Sequence, residues 1–177
     1  MIAGSRRTGG LVWLLLAVAD LGWLTLMVAP ALMDGSWLAV ALREAYAPFC
    51  HQDPARAFHL HGSPLAACCR CFAVAAGAGL GLLLAAAAGQ IGRTRLQSPW
   101  LLAVALMPLA VDAVLGLSGL WANTAVSRTL TGLLAGGLGT IYLLPAATVA
   151  AAELRLMGST NRRLDGRETV DCSEGIA

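Results

Sequence analysis

The sequence predicts an all-α integral membrane protein, a four-helix bundle with a polar outer loop between its first and second helices. Of the 177 residues, 58% are hydrophobic and only 12% are charged, and the mean hydropathy is +0.71, well above the value for a soluble domain. Four apolar runs approach the roughly 20 residues that a helix needs to cross a bilayer. They show no period-two alternation, and lipid offers no partners to free backbone groups, so helices are expected to span the membrane.

The four helices are predicted at about 10–31, 64–90, 99–117 and 129–152, within one membrane domain that covers residues 1–155. The first run is longer than the apolar core of a signal peptide and carries Asp20, which favours a retained helix. Ser63 and Pro64 predict the start of the second helix, as an N-cap followed by proline at the first helical position. Between these two helices, residues 36–46 have the pattern of a short amphipathic helix at the interface. The polar segment 156–177 is predicted to be a disordered cytoplasmic tail.

Small residues at helical spacing indicate how the helices pack. Gly77-x-x-x-Gly81 and Gly132-x-x-x-Gly136 fit the pattern that lets two membrane helices approach closely. The Gly and Ala richness of the chain therefore indicates helix packing rather than low complexity.

The distribution of arginine predicts the orientation. Alternating the four helices across the membrane puts eight arginines on one side, at positions 6, 7, 93, 95, 155, 162, 163 and 167, and four on the other, at positions 43, 56, 70 and 128. The positive-inside rule then predicts a multi-pass protein of the cytoplasmic (inner) membrane with both termini in the cytoplasm. The net charge of +2, without a basic face interleaved with aromatics, argues against nucleic acid as a partner. The expected partner is the lipid bilayer; a homo-oligomer is left open, and no substrate or redox partner is named by the sequence.

The segment from Cys50 to Cys71 holds four of the five cysteines and all three histidines. Zinc, iron and copper accept thiolate and imidazole ligands, and a C-x-x-C turn supplies two of them. Cys50, Cys68 and Cys71 with one histidine therefore predict a tetrahedral metal site. The histidine is His51, His59 or His61 on spacing alone.

Other chemistries suit the same residues. Cys68 and Cys71 are also expected as a thiol/disulfide oxidoreductase pair, favoured by the neighbouring Arg70. A static disulfide from Cys50 to Cys68, Cys69 or Cys71 is a third possibility, because exported thiols oxidise. A fourth reading is a small transporter or channel component that uses membrane-buried charges, with the cysteines dispensable.

Three of these charges converge on the predicted outer leaflet. Arg70, Asp112 and Arg128 lie near the outer ends of the second, third and fourth runs, each on a stripe of small residues at helical spacing. Charges within a membrane are expected to pair, so Asp112 is predicted to pair with Arg128, for function or for structure alone. Asp20, in the first run, is expected to pair inside the bundle.

The polar residues together resemble a known family. Cys50-His51-Gln52-x-Pro54-x-Arg56-x-Phe58, Gly62, Cys68-x-Arg70-Cys71, Gly77, Pro108 with Asp112, Asn123, Arg128, and Thr131-Gly132 with Gly136 resemble the prokaryotic membrane proteins grouped as domain of unknown function 2085, over roughly residues 45 to 145. The resemblance implies the functional residues Cys50, His51, Gln52, Arg56, Cys68, Arg70, Cys71, Asp112, Asn123 and Arg128, without a biochemical activity. His51 becomes the preferred fourth metal ligand because His59 and His61 lie outside the pattern. Ala57 and Ala73 depart from it, where the family carries a small hydroxyl residue and a glycine.

Overall fold

The computed structural model describes residues 3–95, 98–120 and 122–174, with side chains described within 7–157. These residues form five α-helices and one small sheet, in the order α1 (Ala3–Leu32), α2 (Trp37–Tyr46), β1 (Ala57–Leu60), β2 (Ser63–Cys68), α3 (Cys69–Ala87), α4 (Pro99–Leu117) and α5 (Ala125–Glu174). Four segments are long and apolar enough to cross a membrane: Arg7–Leu32, Cys69–Ala87, Pro99–Leu117 and Ala125–Met157. The predicted all-α membrane fold is therefore confirmed, with a two-stranded sheet added to it.

Helices α3 and α5 form the centre of the bundle, and glycine brings them together. A Cβ atom placed on Gly81 of α3 would lie 2.7 Å from the carbonyl oxygen of Gly137 of α5. One placed on Gly132 of α5 would lie 2.9 Å from the Ala73 side chain. The backbones therefore touch directly, as the two glycine spacings predicted. Ala73 itself is buried against Gly132, so the close approach at this position comes from the glycine of α5.

Helices α1 and α4 pack at the periphery and expose most of their apolar side chains. Leu15, Val18 and Leu21 on α1 and Val104 and Met107 on α4 are between 60% and 66% exposed. In water, such surfaces would be very unfavourable; in a bilayer they face lipid. Helix α1 is attached to α3 by the indole nitrogen of Trp13, which donates to the carbonyl oxygen of Leu82 at 2.9 Å.

The second membrane helix begins at Cys69 and not at Pro64. Residues 63–68 instead form β2, which pairs antiparallel with β1, with Leu60 opposite Ser63. The two turn residues, His61 and Gly62, have φ angles of 52° and 86°, as a two-residue hairpin turn of the primed type requires. Proline is tolerated here because it lies in an edge strand of a two-stranded sheet.

The other boundaries lie close to the predicted ones. Helix α2 occupies the segment predicted to be amphipathic, and Ser36 caps it by accepting a hydrogen bond from the Ala39 amide at 3.1 Å. Helix α5 begins at Ala125, four residues before the predicted start, and continues to Glu174, where the sequence predicted a disordered tail from residue 156. The loop between α1 and α3 is thus largely ordered, with a helix, a short 3-10 turn at Pro54–Arg56 and the hairpin.

Candidate metal centre

Three cysteine sulfurs meet at the end of the bundle where α3 begins, which we call the Cys end. Cys50 follows α2, Cys68 is the last residue of β2, and Cys71 lies in the first turn of α3. Their Sγ atoms all lie within 4.8 Å of one another, and the Cys68 and Cys71 sulfurs are 3.5 Å apart. We call these three residues the Cys cluster.

The end of α2 holds Cys50 in place. The amide of Cys50 donates to the carbonyl oxygen of Tyr46 at 3.0 Å. The Tyr46 hydroxyl in turn donates to the carbonyl oxygen of Trp23 at 3.0 Å, and the two rings meet edge to face. Cys50 is buried in a small core with Met27 and Tyr46. The position of its sulfur is therefore set by α1 and α2.

The β-hairpin returns the chain to Cys50. The backbone amide of Cys68 donates to the Cys50 sulfur at 3.3 Å, an interaction that orients this sulfur. Because Cys68 is also the N-cap residue of α3, the next helical turn brings Cys71 to the same side. Strand pairing and helix start together assemble the three thiols.

The electrostatic surroundings favour a thiolate at Cys68. A hydrogen bond from the Cys71 thiol, with smaller contributions from the Cys71 amide, the Cys50 thiol and the Arg70 amide, lowers the pKa of Cys68 to about 5 against the opposing effect of burial. The two amides belong to the first turn of α3, where helix N–H groups have no partner within the helix. Cys68 is thus prepared to act as a ligand or nucleophile near neutral pH.

The remaining cysteine and the histidines lie outside the cluster. Cys69 is buried, 3% exposed, and does not join the three sulfurs. The four cysteines of the described residues are not joined by disulfides. His51, His59 and His61 are all exposed, and of these His51 contributes to the cavity beside Cys68.

Asp112 pairs with Arg70, whereas the sequence analysis predicted Arg128 as its partner, and that prediction was wrong. The Arg70 guanidinium donates to Asp112 Oδ2, and Asp112 is only 8% exposed. The side-chain amide of Asn123 donates to the same carboxylate oxygen at 3.2 Å and to the backbone oxygen of Asp112 at 2.6 Å. Arg70 lies in the first turn of α3, and its guanidinium reaches Asp112 of α4.

A cavity of about 380 Å³ opens beside the Cys cluster. It is lined by His51, Asp53, Arg56, Cys68, Arg70, Ala113, Gly116, Leu117, Asn123 and Arg128. Five of the residues that the sequence singled out, His51, Arg56, Arg70, Asn123 and Arg128, thus line one cavity together with Cys68. Asp112 does not line the cavity, but its carboxylate holds Arg70, which does.

Two predicted polar residues support the loop. The Gln52 side-chain amide donates to the carbonyl oxygen of Arg43 in α2. Gln52 has a φ of 50°, in the left-handed region, and this hydrogen bond connects it to α2. Arg56 pairs with Asp53 at 3.0 Å. Asp53 was missed by the sequence analysis, although an acid three residues before an arginine is a recognisable ion-pair spacing. Asp20 packs elsewhere, against Gly79 of α3.

Comparison with known proteins adds the family and little chemistry. The chain is similar to an uncharacterized protein, MJ1492, of Methanocaldococcus jannaschii, at 32% identity over 109 residues that cover 62% of this chain and 70% of the relative. No solved structure matches it. The family model described as "Predicted membrane protein (DUF2085)" matches residues 50–143, which include the Cys cluster and every residue that lines the cavity. The chain therefore belongs to the DUF2085 family of membrane proteins.

Proposed function

We propose that the protein binds a thiophilic metal ion, zinc, iron or copper, at the Cys cluster. The observation that carries the proposal is the convergence of three sulfurs within 4.8 Å. Four sulfur or nitrogen ligands at about 2.3 Å from a tetrahedral ion are separated by about 3.8 Å. The 3.5 Å between the Cys68 and Cys71 sulfurs is close to that separation, so an ion needs only small side-chain adjustments.

The surroundings of the cluster support the same chemistry. Cys50 is buried and accepts a backbone hydrogen bond, an arrangement that orients a thiolate ligand. The pKa of Cys68 is lowered, and metal ligands must be deprotonated to bind. Three thiolates around a divalent ion leave one negative charge, which the arginines of the neighbouring cavity would compensate.

His51 is our proposed fourth ligand. It follows Cys50 directly in the chain and lines the cavity that Cys68 also lines. A histidine there would complete a Cys3His set. Its side chain is exposed, so the fourth position is the one through which an ion would enter or a small ligand would bind.

Metal analysis of protein purified in mild detergent tests the proposal. We expect about one ion per chain in the wild type, near zero for Cys68→Ser, and a full complement for Cys69→Ala, which removes an adjacent buried thiol outside the cluster. His51→Ala is expected to weaken metal retention about 10- to 100-fold or more, while His59→Ala leaves it unchanged. Substoichiometric metal after loading, unaffected by Cys68→Ser, would refute the site.

A thiol/disulfide oxidoreductase is the second candidate, and the start of α3 favours it. Cys68 is the N-cap residue and Cys71 the third helical residue, so one low-pKa thiol lies at a helix N-terminus with its partner 3.5 Å away. Such a pair can lose two electrons and two protons to an acceptor, an exported disulfide or a quinone, and form the Cys68–Cys71 disulfide.

Cys50 separates the two candidates. A metal site needs Cys50, whereas a Cys68–Cys71 exchange pair does not. Labelling with a membrane-impermeant thiol reagent, before and after reduction, reports the redox state. Oxidoreductase function predicts that Cys68 and Cys71 change state together in the wild type and in Cys50→Ser; cysteines that never change state would exclude it.

We also propose that the Cys end faces outward across the cytoplasmic membrane, with both termini in the cytoplasm. The arginine count of eight against four supports this orientation. In spheroplasts, which keep an intact cytoplasmic membrane, an impermeant thiol reagent should reach Cys68 without permeabilisation. Labelling that appears only after permeabilisation would reverse the orientation.

A further inference from the structure

Three arginines surround the cavity beside the Cys cluster, and they are not equally neutralised. Arg70 forms an ion pair with Asp112, and Arg56 forms one with Asp53. Arg128 lines the same cavity in the first turn of α5. Within 7–95, 98–120 and 122–157, its guanidinium has no acidic partner. Arg128 is therefore the cavity arginine whose charge no carboxylate among the described residues neutralises.

Two buried polar atoms of the cavity-lining residues also lack partners among the described side chains. They are Arg70 Nε, a donor, and Asn123 Oδ1, an acceptor. The orientation of the Asn123 amide is determined, because its nitrogen donates twice to Asp112. Buried groups without partners are rare in native proteins and often indicate a ligand or water site.

The donors and acceptor without partners indicate the chemistry of a ligand. Arg128 and Arg70 Nε are donors that an oxyanion with several acceptor oxygens would satisfy from different directions. Phosphate fits this better than a carboxylate, which a single guanidinium can satisfy. Asn123 Oδ1 calls for a donor, such as a hydroxyl group beside the phosphate. A cavity of about 380 Å³ is large enough for such a group.

We propose that this cavity binds a phosphate group carrying a neighbouring hydroxyl, the chemistry of glycerol phosphate, either as a free phosphate ester or as the headgroup of an anionic phospholipid. Arg128 and Arg70 hold the phosphate, and Asn123 accepts from the hydroxyl. The site opens at the Cys end, where the outer leaflet would lie, so both sources can reach it. It goes beyond the proposed metal function and does not depend on it.

Binding is measured with two probes on detergent-purified protein. Glycerol 3-phosphate is titrated calorimetrically, and phosphatidylglycerol is added to micelles and followed by native mass spectrometry, with phosphatidylcholine as the zwitterionic comparison. Arg128→Gln is expected to weaken binding about 10- to 100-fold, the loss of charge-assisted hydrogen bonds. The matched control is Arg43→Gln, which removes an arginine of the same membrane side that does not line the cavity.

The source of the phosphate follows from which probe binds. Saturable binding of glycerol 3-phosphate identifies a soluble ester, and retention of phosphatidylglycerol alone identifies a headgroup. No saturable binding of either probe, or equal loss in both arginine variants, overturns the proposal. Should Arg128→Gln fail to fold, Arg128→Lys keeps the charge but not the guanidinium fork, and unchanged affinity in that variant overturns it as well.

The experiment is also separated from the metal proposal. Cys50→Ser removes a ligand of the Cys cluster but leaves all residues of the cavity in place. Phosphate binding by this variant, together with absent metal, would support the cavity site and locate the failure in metal binding alone. If Arg128→Gln loses phosphate binding but keeps its metal, metal binding does not depend on phosphate binding.

Discussion

Glycine at position 136 is expected to set how closely α3 and α5 approach. A methyl group placed there would overlap with the carbonyl oxygen of Val74 and lie 2.9 Å from the amide nitrogen of Ala78, whereas one placed on Gly139 of the same helix would meet nothing within 4 Å. Carbon makes ordinary contacts at 3.4 Å and beyond. Gly136→Ala must therefore push the two helices apart by at least about half an ångström.

The comparison of Gly136→Ala with Gly139→Ala isolates this packing effect. Both substitutions gain the same helix propensity, about 0.5–1 kcal/mol, because both lie inside α5. Only Gly136→Ala strains a backbone contact, and overpacking of this kind costs about 1–3 kcal/mol. We therefore expect Gly136→Ala to be less stable than Gly139→Ala by about that amount.

Unfolding by graded addition of a denaturing detergent to protein in mild detergent measures the difference. The helical signal is followed for the wild type and both variants at equal protein and detergent concentration. Equal midpoints for the two variants would refute the reasoning, since they would mean that α3 and α5 separate without cost or do not pack as described. A destabilised Gly139→Ala would contradict the open space at that position.

Three further outcomes follow from the same contacts. Asp112→Asn leaves the Arg70 charge uncompensated and should lower the free energy of unfolding by about 3–5 kcal/mol. The double variant that also carries Arg70→Leu should lose much less stability, and a double-mutant cycle of detergent unfolding measures the difference. In metal-free protein, the rate of Cys68 alkylation should stay high as the pH falls to about 5, because the thiolate is protonated only below that pKa. The alkylation rate of an ordinary thiol falls below a pH of about 8.5. A Cys68 rate profile with that ordinary midpoint would contradict the lowered pKa. Gly62→Ala, at a φ of 86°, should lower stability by about 1 kcal/mol and loosen the hairpin, and an unchanged melting curve would argue against the left-handed turn.

Composition and hydropathy were sufficient for the membrane fold, because the bilayer allows so few solutions. Where sequence reasoning went wrong was at the start of the second helix. Ser63 and Pro64 are an ordinary helix-start signal, but the local preference was overridden by pairing with a strand. The evidence for the hairpin was present in His61-Gly62, where histidine takes the place of the usual asparagine in a two-residue turn.

The ion pair illustrates a different limit. Arg70, Asp112 and Arg128 were expected to converge, and they do lie around one cavity. Which arginine meets Asp112 depends on how α3 and α5 are rotated and shifted against α4. Spacing along each helix shows which residues share a face, but it does not show which face meets which neighbouring helix, so the partner could not be assigned.

The hairpin is what joins the two halves of the family pattern. Ala57 lies opposite Cys68 in the β1–β2 register, so Arg56 and the residues after Cys50 are carried back beside the start of α3. Without the hairpin, the Cys50 and Cys68 sulfurs would have no reason to meet, since 17 residues separate them in the chain. With it, Cys68 becomes the last residue of a strand and the N-cap of a membrane helix at once. That double role places one thiol in the cluster and in the cavity, so a bound phosphate ester would lie directly beside the metal or the redox pair.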